Sequence, residues 1–318
     1  MLELFKILAD QTRLRLLQIL RQGDFTVQDL MQILDMGQSR ISRHLKLLSE
    51  AGLLKVEKEG TWHYYRLASA NPVFDKLWPM IGLELDDASD TLHDNGGVTL
   101  VMTQRRQRSQ RFFDQYAKDW DHIHDDLLSL PEYRADLVAL LPKGGCVVEV
   151  GTGSGGLLPE LAQVAERVVA LDSSPAMVNL ARETVAKADL SACVDVRLAE
   201  MNHLPFTDGE IDSVVLNQVL HHAERPDAVF KEIRRVLEAD GKLVLADLTR
   251  HNLDWTRDKL ADQWLGFSRN QLEQWLDEAG MVSTHYEVIG QYQEIDEGAA
   301  QPAVLLLTAK IKATETKM

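Results

Sequence analysis

Apolar side chains crowd residues 14–20, where Leu14, Leu16, Leu17, Ile19 and Leu20 predict a buried helix ended by Gly23-Asp24. Thr26 then offers an N-cap to a short helix carrying Val27, Leu30, Ile33 and Leu34, with Asp29 near its positive start. Asp35-Met36-Gly37 reads as a tight turn. A second helix follows, with Ile41, Leu45 and Leu48 at i, i+4, i+7 spacing, and Gly52 stops it. The runs LLKVEKEG and TWHYYRL predict two strands around a turn at Glu59-Gly60. Helix, turn, helix, hairpin is the element order of a winged helix. Residues 71–86 place Val73, Leu77, Ile81 and Leu85 on one stripe, with Pro79 positioned to bend or interrupt the helix.

The next stretch, DDASDTLHDNGGVT, is polar and contains glycine, so residues 87–105 read as a linker. A charged helix is expected from Met102 to Leu128. From Gly145 onward strands and helices alternate. CVVEVG, RVVALD, CVDVRLAE, IDSVVLNQV and GKLVLADL read as strands, and SPAMVNLARETVAKA and PDAVFKEIRRVLEA as helices. EVIGQYQ and AVLLLTAKI suggest a terminal antiparallel pair. Repeated β-α units predict a doubly wound, mainly parallel sheet with its ligand at the carboxyl ends of the strands. The expected fold class is α/β: a winged helix-turn-helix over residues 1–86 and a Rossmann-like domain over 106–318.

Length and composition agree with two globular domains: 318 residues, 45% hydrophobic and 26% charged. Cys146 and Cys193 are too few and too far apart for a zinc knuckle, and they suggest a reducing compartment. MLELFKILADQTR lacks the order of a signal peptide, and no apolar run is long enough to span a bilayer. A cytoplasmic protein without a membrane partner is expected. The net charge of −15 argues at first against nucleic acid, but it is unevenly spread. Residues 1–70 hold 10 basic and 8 acidic side chains, whereas the remainder holds 24 and 41. DNA contact needs only a local basic face.

That face falls on the second helix of the pair. With Ile41, Leu45 and Leu48 turned to the core, Gln38, Ser39, Arg40, Ser42, Arg43 and Lys46 lie on the outer side, and no acid interrupts Met36 to Lys46. Polar residues at the start of a recognition helix reach base edges, and Arg suits guanine. Lys58 and His63 on the hairpin are placed to reach the backbone or the minor groove. An ordinary solvated helix face explains the charge run taken alone; the whole pattern favours DNA.

LADQTRLRLLQIL, SRISRHLKLLSEAGLLKVEKEG and WHYYRL resemble the ArsR-type winged-helix repressors over about residues 2–68. The resemblance implies a homodimer bound to double-stranded operator DNA at an inverted repeat, with residues 71–86 in the dimer interface. Packing on the same domain explains that stripe equally well. Many members of this family sense metal through cysteines on the helix before the recognition helix. Here that helix reads DFTVQDLMQIL and has none, so metal or arsenite sensing is not expected there.

In the second domain, Gly151, Gly153 and Gly155 follow the first strand and let the backbone approach a ligand. Gly151, Gly153 and Gly156 also satisfy the dinucleotide fingerprint, and Asp172, about 20 residues on, suits a ribose in either an NAD or a nucleoside site. The wider pattern separates the two. Glu149 before the first glycine, AEMNHLPF after the third strand, and LNQVLHH followed by EIRRVLEADGKLVLADL resemble the class I S-adenosylmethionine (SAM)-dependent methyltransferases over about residues 112–310. That resemblance implies SAM or S-adenosylhomocysteine (SAH) as ligand. Glu149, Gly151, Thr152, Gly153, Gly155 and Asn217 would border the methionine moiety and the turn, Asp172 the ribose, and Glu200 with the Met201 backbone the adenine. Glu200 stands where Asp is more usual. Tyr116, with Trp120, is placed as a lid or as core packing.

Adjacent His221-His222 on a strand would point to opposite faces, and His122-x-His124 has no carboxylate partner fixed by sequence, so no metal site is expected. His221 would be a pocket wall or a general base. Methyl transfer needs chiefly positioning, so no catalytic residue can be named. A winged helix joined to a SAM-type domain resembles the SAH-responsive regulators of methionine metabolism. The competing expectation is a working methyltransferase acting on a small molecule and controlling its own expression.

Overall fold

The computed structural model describes residues 2–59, 62–68, 71–86, 89–291, 293–296 and 299–312. The chain divides into two compact units, Met1–Gln107 and Arg108–Met318.

The first unit opens with α1 (Leu2–Leu8), α2 (Gln11–Leu20), α3 (Val27–Leu34) and α4 (Gln38–Glu50). Thr26 caps α3 in a reciprocal capping box with Asp29. The hairpin is β1 (Leu54–Glu59) and β2 (Trp62–Leu67), antiparallel, with Lys58 opposite His63. The Gly60 half of the expected turn lies outside the described residues. Leu16, Leu17, Leu30, Ile33, Ile41, Leu45 and Leu48 are fully buried and share one core with Phe25.

Two expectations change beyond the hairpin. In α5 (Pro72–Asp86) the helix runs through Pro79, and its buried side chains are Phe74 and Trp78, with Val73 exposed. The expected linker is helical: α6 spans Ser89–Tyr116 and begins well before Met102. Several of its polar residues pair with the helices beneath. Arg15 donates twice to Asp94, at 2.7 and 2.6 Å, and Asp94 is 2% exposed. Gln22 donates to Asn95, and Arg105 to Asp29 at 2.6 Å. Gly97, which composition marks as a flexible point, is a close approach instead. A Cβ there would lie 3.0 Å from Ile33 Cα. Val98, Val101 and Met102 complete the same core.

The second unit holds the rest of α6, then α7 (Trp120–Leu127), α8 (Arg134–Ala139), β3 (Cys146–Val150), α9 (Leu158–Leu161), β4 (Arg167–Asp172) and α10 (Pro175–Lys187). A break between α6 and α7 replaces the continuous helix expected to Leu128. β5 (Val194–Leu198), β6 (Ile211–Asn217), α11 (Pro226–Val236) and β7 (Leu237–Leu248) follow, then α12 (Thr256–Lys259), α13 (Arg269–Glu278), β8 (Met281–Ile289), β9 (Gln293–Asp296), β10 (Ala299–Gln301) and β11 (Val304–Ile311).

Seven strands form one sheet in the order β5-β4-β3-β6-β7-β11-β8. The first five are parallel, and β11 runs antiparallel between β7 and β8. Alternation assigns each strand's side chains to two cores. Val148, Val169, Val214 and Leu243 face the side covered by α11 and α13. Val147, Val168, Val215 and Val244 face the side covered by α8 and α10. The chain leaves β3 for β4 on one side and returns to β6 on the other. That order creates a crevice at the carboxyl ends of β3 and β6.

Candidate functional site

In the first unit, α4 realises the expected face. Gln38, Ser39, Arg40, Ser42, Arg43 and Lys46 are all exposed, opposite the buried Ile41, Leu45 and Leu48. Arg40 is also tied to its own domain, donating to Thr12 Oγ1 at 3.2 Å. Lys46 approaches Glu50 at 3.8 Å, a weak exposed pair. His63 is exposed on β2. Lys58 lies on β1, and its side chain is outside the described residues.

In the second unit, the loop after β3 builds one side of the crevice. Gly151 takes φ +75°, and a Cβ there would lie 2.1 Å from Val219 Cγ2, so only glycine fits. The amides of Gly151 and Thr152 both donate to the Leu171 carbonyl, at 2.7 and 2.9 Å, which folds the turn onto β4. Glu149 occupies a core position of β3 and is 1% exposed. Thr152 Oγ1 donates to it at 2.6 Å. Burial nevertheless pushes its carboxyl up to about 8, with Asp172 adding to the rise.

Asp172 ends β4 and accepts from Gly153 N and Ser174 N, each at 2.9 Å. Burial raises its carboxyl, against the pull of those backbone donors. With Ser173 as a further backbone donor, the carboxylate still has accepting capacity for a ligand hydroxyl. Asn217 ends β6, and its Oδ1 accepts from the Tyr133 hydroxyl at 2.9 Å. Burial pushes the Tyr133 phenol up to about 12, which keeps it a donor. The next residue, Gln218, takes φ +51°, its backbone N–H donates to the Ala246 carbonyl at 2.8 Å, and its side chain adjoins the Tyr133 hydroxyl. A non-glycine residue in the left-handed region directly after β6 is a strained point of the kind found at functional sites.

Around one turn, Thr152 thus bonds to Glu149, Gly153 to Asp172, and Gly151 with Thr152 to the Leu171 carbonyl. Gly155 continues the turn with φ +83°. Glu200 and Met201 lie on a separate turn after β5, where Glu200 bridges to His203. Tyr116 packs on Phe112 with ring centroids 4.8 Å apart, in an aromatic cluster with Phe113 and Trp120. Among the described residues no hydrogen bond ties Glu200 or Tyr116 to the glycine turn. Sequence missed Tyr133, which carries no motif. It also missed Ser174, which caps α10 and donates to Asp114 at 2.6 Å, although Ser-Pro at that point is a helix-start signal.

The histidines are a correction. β6 ends at Asn217, and Leu220–His222 form a 3₁₀ turn, so His221 and His222 are not on opposite strand faces. Their ring centroids lie 4.1 Å apart. Burial alone would lower the His221 ring, but Asp247 and Asp262 raise it to about 9.

Comparisons with known proteins divide at the same place. Residues 10–56 match the family model of bacterial regulatory proteins of the arsR family, and residues 148–245 match a methyltransferase-domain family model. The arsenical resistance operon repressor of Escherichia coli is 46% identical over 83 residues, covering 24% of this chain and 71% of the repressor. The arsenite methyltransferase of Halobacterium salinarum is 31% identical over 151 residues, 45% of this chain and 38% of that enzyme. A protein assigned as a methyltransferase, solved with the Haloferax volcanii Trm112 methyltransferase activator, superposes with a TM-score of 0.52 at 22% identity, over 63% of this chain and 98% of that one. That likeness shows the fold. No helix among the described residues is long and apolar enough to cross a membrane.

Proposed function

The chain belongs to the arsR family of bacterial regulatory proteins and carries a methyltransferase domain behind its DNA-binding domain; from that premise we propose that it is a transcriptional regulator whose second domain binds SAM or SAH, with SAH as effector. The observation that carries the proposal is α4. It presents Gln38, Ser39, Arg40, Ser42, Arg43 and Lys46 outward on a fully packed core, and such a face at the start of a recognition helix reads base edges in the major groove. The regulator works in the cytoplasm as a homodimer on double-stranded operator DNA. Leu2, Phe5, Met80 and Leu83 leave large apolar area in water, and a second copy would cover it.

In the second domain Asp172 would accept from the ribose hydroxyls. Glu149, Gly151 and Asn217 would border the amino-acid end, and Glu200 with Met201 the adenine. Tyr116 would close over the ligand. Lys58 and His63 on the hairpin would touch DNA outside the major groove. SAM and SAH differ by a methyl group and a positive charge, so a site that solvates that charge poorly favours SAH. The effector must then bind the operator-competent and operator-incompetent states unequally, with roughly 1–3 kcal/mol of coupling.

A second reading has its own support. The relative named arsenite methyltransferase favours an active SAM-dependent enzyme with a regulatory DNA-binding domain. Arsenic would call for soft thiolate ligands, whereas burial raises the Cys146 thiol and α3 holds no cysteine. The deciding experiment is an operator titration without ligand, with saturating SAH and with saturating SAM. SAH is expected to shift the curve and SAM to shift it less. Three superimposable curves sink the sensor and leave the self-regulating methyltransferase as the better reading.

A further inference from the structure

We propose that His221, His222 and Asp262 form a binding site for a divalent transition-metal ion of the zinc type. One ligand atom from each of the three lies within 4.8 Å of the other two. His221 Nε2 is 3.6 Å from Asp262 Oδ1, and His222 Nδ1 is 3.8 Å from the same oxygen. These separations are too long for hydrogen bonds. They are a few tenths of an ångström wider than the roughly 3.3 Å that a tetrahedral ion with ligand bonds of about 2.0 Å imposes.

Asp262 is the second observation. Its side chain is 1% exposed, yet among the described residues neither carboxylate oxygen accepts a hydrogen bond. The nearby Thr256 hydroxyl donates to the Leu253 carbonyl instead. A buried carboxylate without a donor is costly, and it faces two imidazoles.

The other side of His221 is built as metal-ligating histidines are. Its Nδ1 donates to Asp247 Oδ1 at 2.7 Å, which fixes the ring and directs Nε2 at the cluster. Asp247 is 0% exposed and is itself held by the amides of Leu220, His221 and Leu248. The backbone carbonyl of His221 accepts from Gln263 and Trp264, which anchors the segment carrying Asp262 beside it. His222 Nδ1 and His221 Nε2 both face the same Asp262 oxygen, and an ion bound there would displace the proton from His221 Nε2. His222 Nδ1 has only a 3.4 Å approach to the Ala261 carbonyl to give up.

Two imidazoles and one carboxylate suit a first-row divalent ion and do not suit magnesium or calcium, which prefer oxygen. Three protein ligands leave a fourth position for water or an anion. His222 also touches the rings of Phe113 and Trp120, at 4.9 and 6.3 Å between centroids.

The test uses the metal-stripped full chain and Zn²⁺. Equilibrium dialysis is expected to give one ion per chain, and Zn²⁺ to raise the melting temperature. Asp262→Asn keeps the shape and removes the charge; His222→Gln removes a ring nitrogen. Each is expected to weaken Zn²⁺ binding at least about tenfold and to erase the melting shift. His122→Ala, exposed and outside the cluster, keeps both. Should Asp262→Asn fail to fold, His222→Gln decides alone. A wild-type chain that takes up no Zn²⁺, or uptake that survives both substitutions, overturns the site.

Discussion

The two units place their chemistry on opposite sides of their surfaces. The first wears it outside: every polar residue of the α4 face is exposed, and the apolar residues beneath are fully buried. The second keeps it inside, with Glu149 buried at the glycine turn and Asp247 and Asp262 buried around His221. A surface site can be changed with little effect on the fold, because water already solvates its groups. A buried site is also part of the core, so the same substitution changes stability and function together.

Glu149 gives the largest expected effect. Its folded carboxyl lies near 8, so the folded state keeps a proton that the unfolded chain releases near 4.5. Stability attributable to this group therefore falls as pH rises from about 4.5 to about 8 and stays low above that range. The gap corresponds to on the order of 5 kcal/mol. Glu149→Gln is expected to outlast the parent in urea at pH 8.5, to match it at pH 4, and to lose nucleoside affinity. Equal midpoints at both pH values would show that this charge is not buried.

Next comes Asp94→Ala, which probes a buried ion pair in the outward-facing unit. It strands Arg15 beside a core and is expected to cost about 3–5 kcal/mol in chemical denaturation. An effect under 1 kcal/mol would return this part of α6 to the status of a solvated linker. Gly97→Val sharpens the same point, because its Cβ would meet the Ile33 backbone. A loss of about 1–3 kcal/mol is expected, read as a lower thermal midpoint.

Arg43→Ala should be the mildest for the fold, within about 0.5 kcal/mol. It should still weaken operator binding by about 1–3 kcal/mol in a mobility-shift titration. A destabilised Arg43→Ala protein, or one with unchanged operator affinity, would break the contrast between the units.

The same contrast explains what was legible in the sequence. The α4 face was readable because its apolar residues recur with the helical period and its polar ones fill the gaps. The glycine turn was readable because φ +75° at Gly151 and the approach of Val219 leave one residue type. Residues 89–105 misled because a polar side chain looks alike whether its partner is water or Arg15. Asp247 and Asp262 were silent for a related reason. They come to His221 from positions 26 and 41 residues later in the chain, and only the folded sheet and the loop after β7 bring them there. Tyr133 reaches Asn217 across 84 residues, a pairing that no local pattern encodes.

The position of β11 has a consequence for biosynthesis. Residues 304–311 run between β7 and β8 and are buried for most of their length. A ribosome makes β7 and β8 first, and until β11 emerges neither has its neighbour on that side. For that interval the apolar edge of β7 is open to any other strand nearby. The nascent chain therefore depends most on chaperones, or on speed, in the interval between the synthesis of β7 and that of β11, after the crevice-forming strands β3 and β6 have been made.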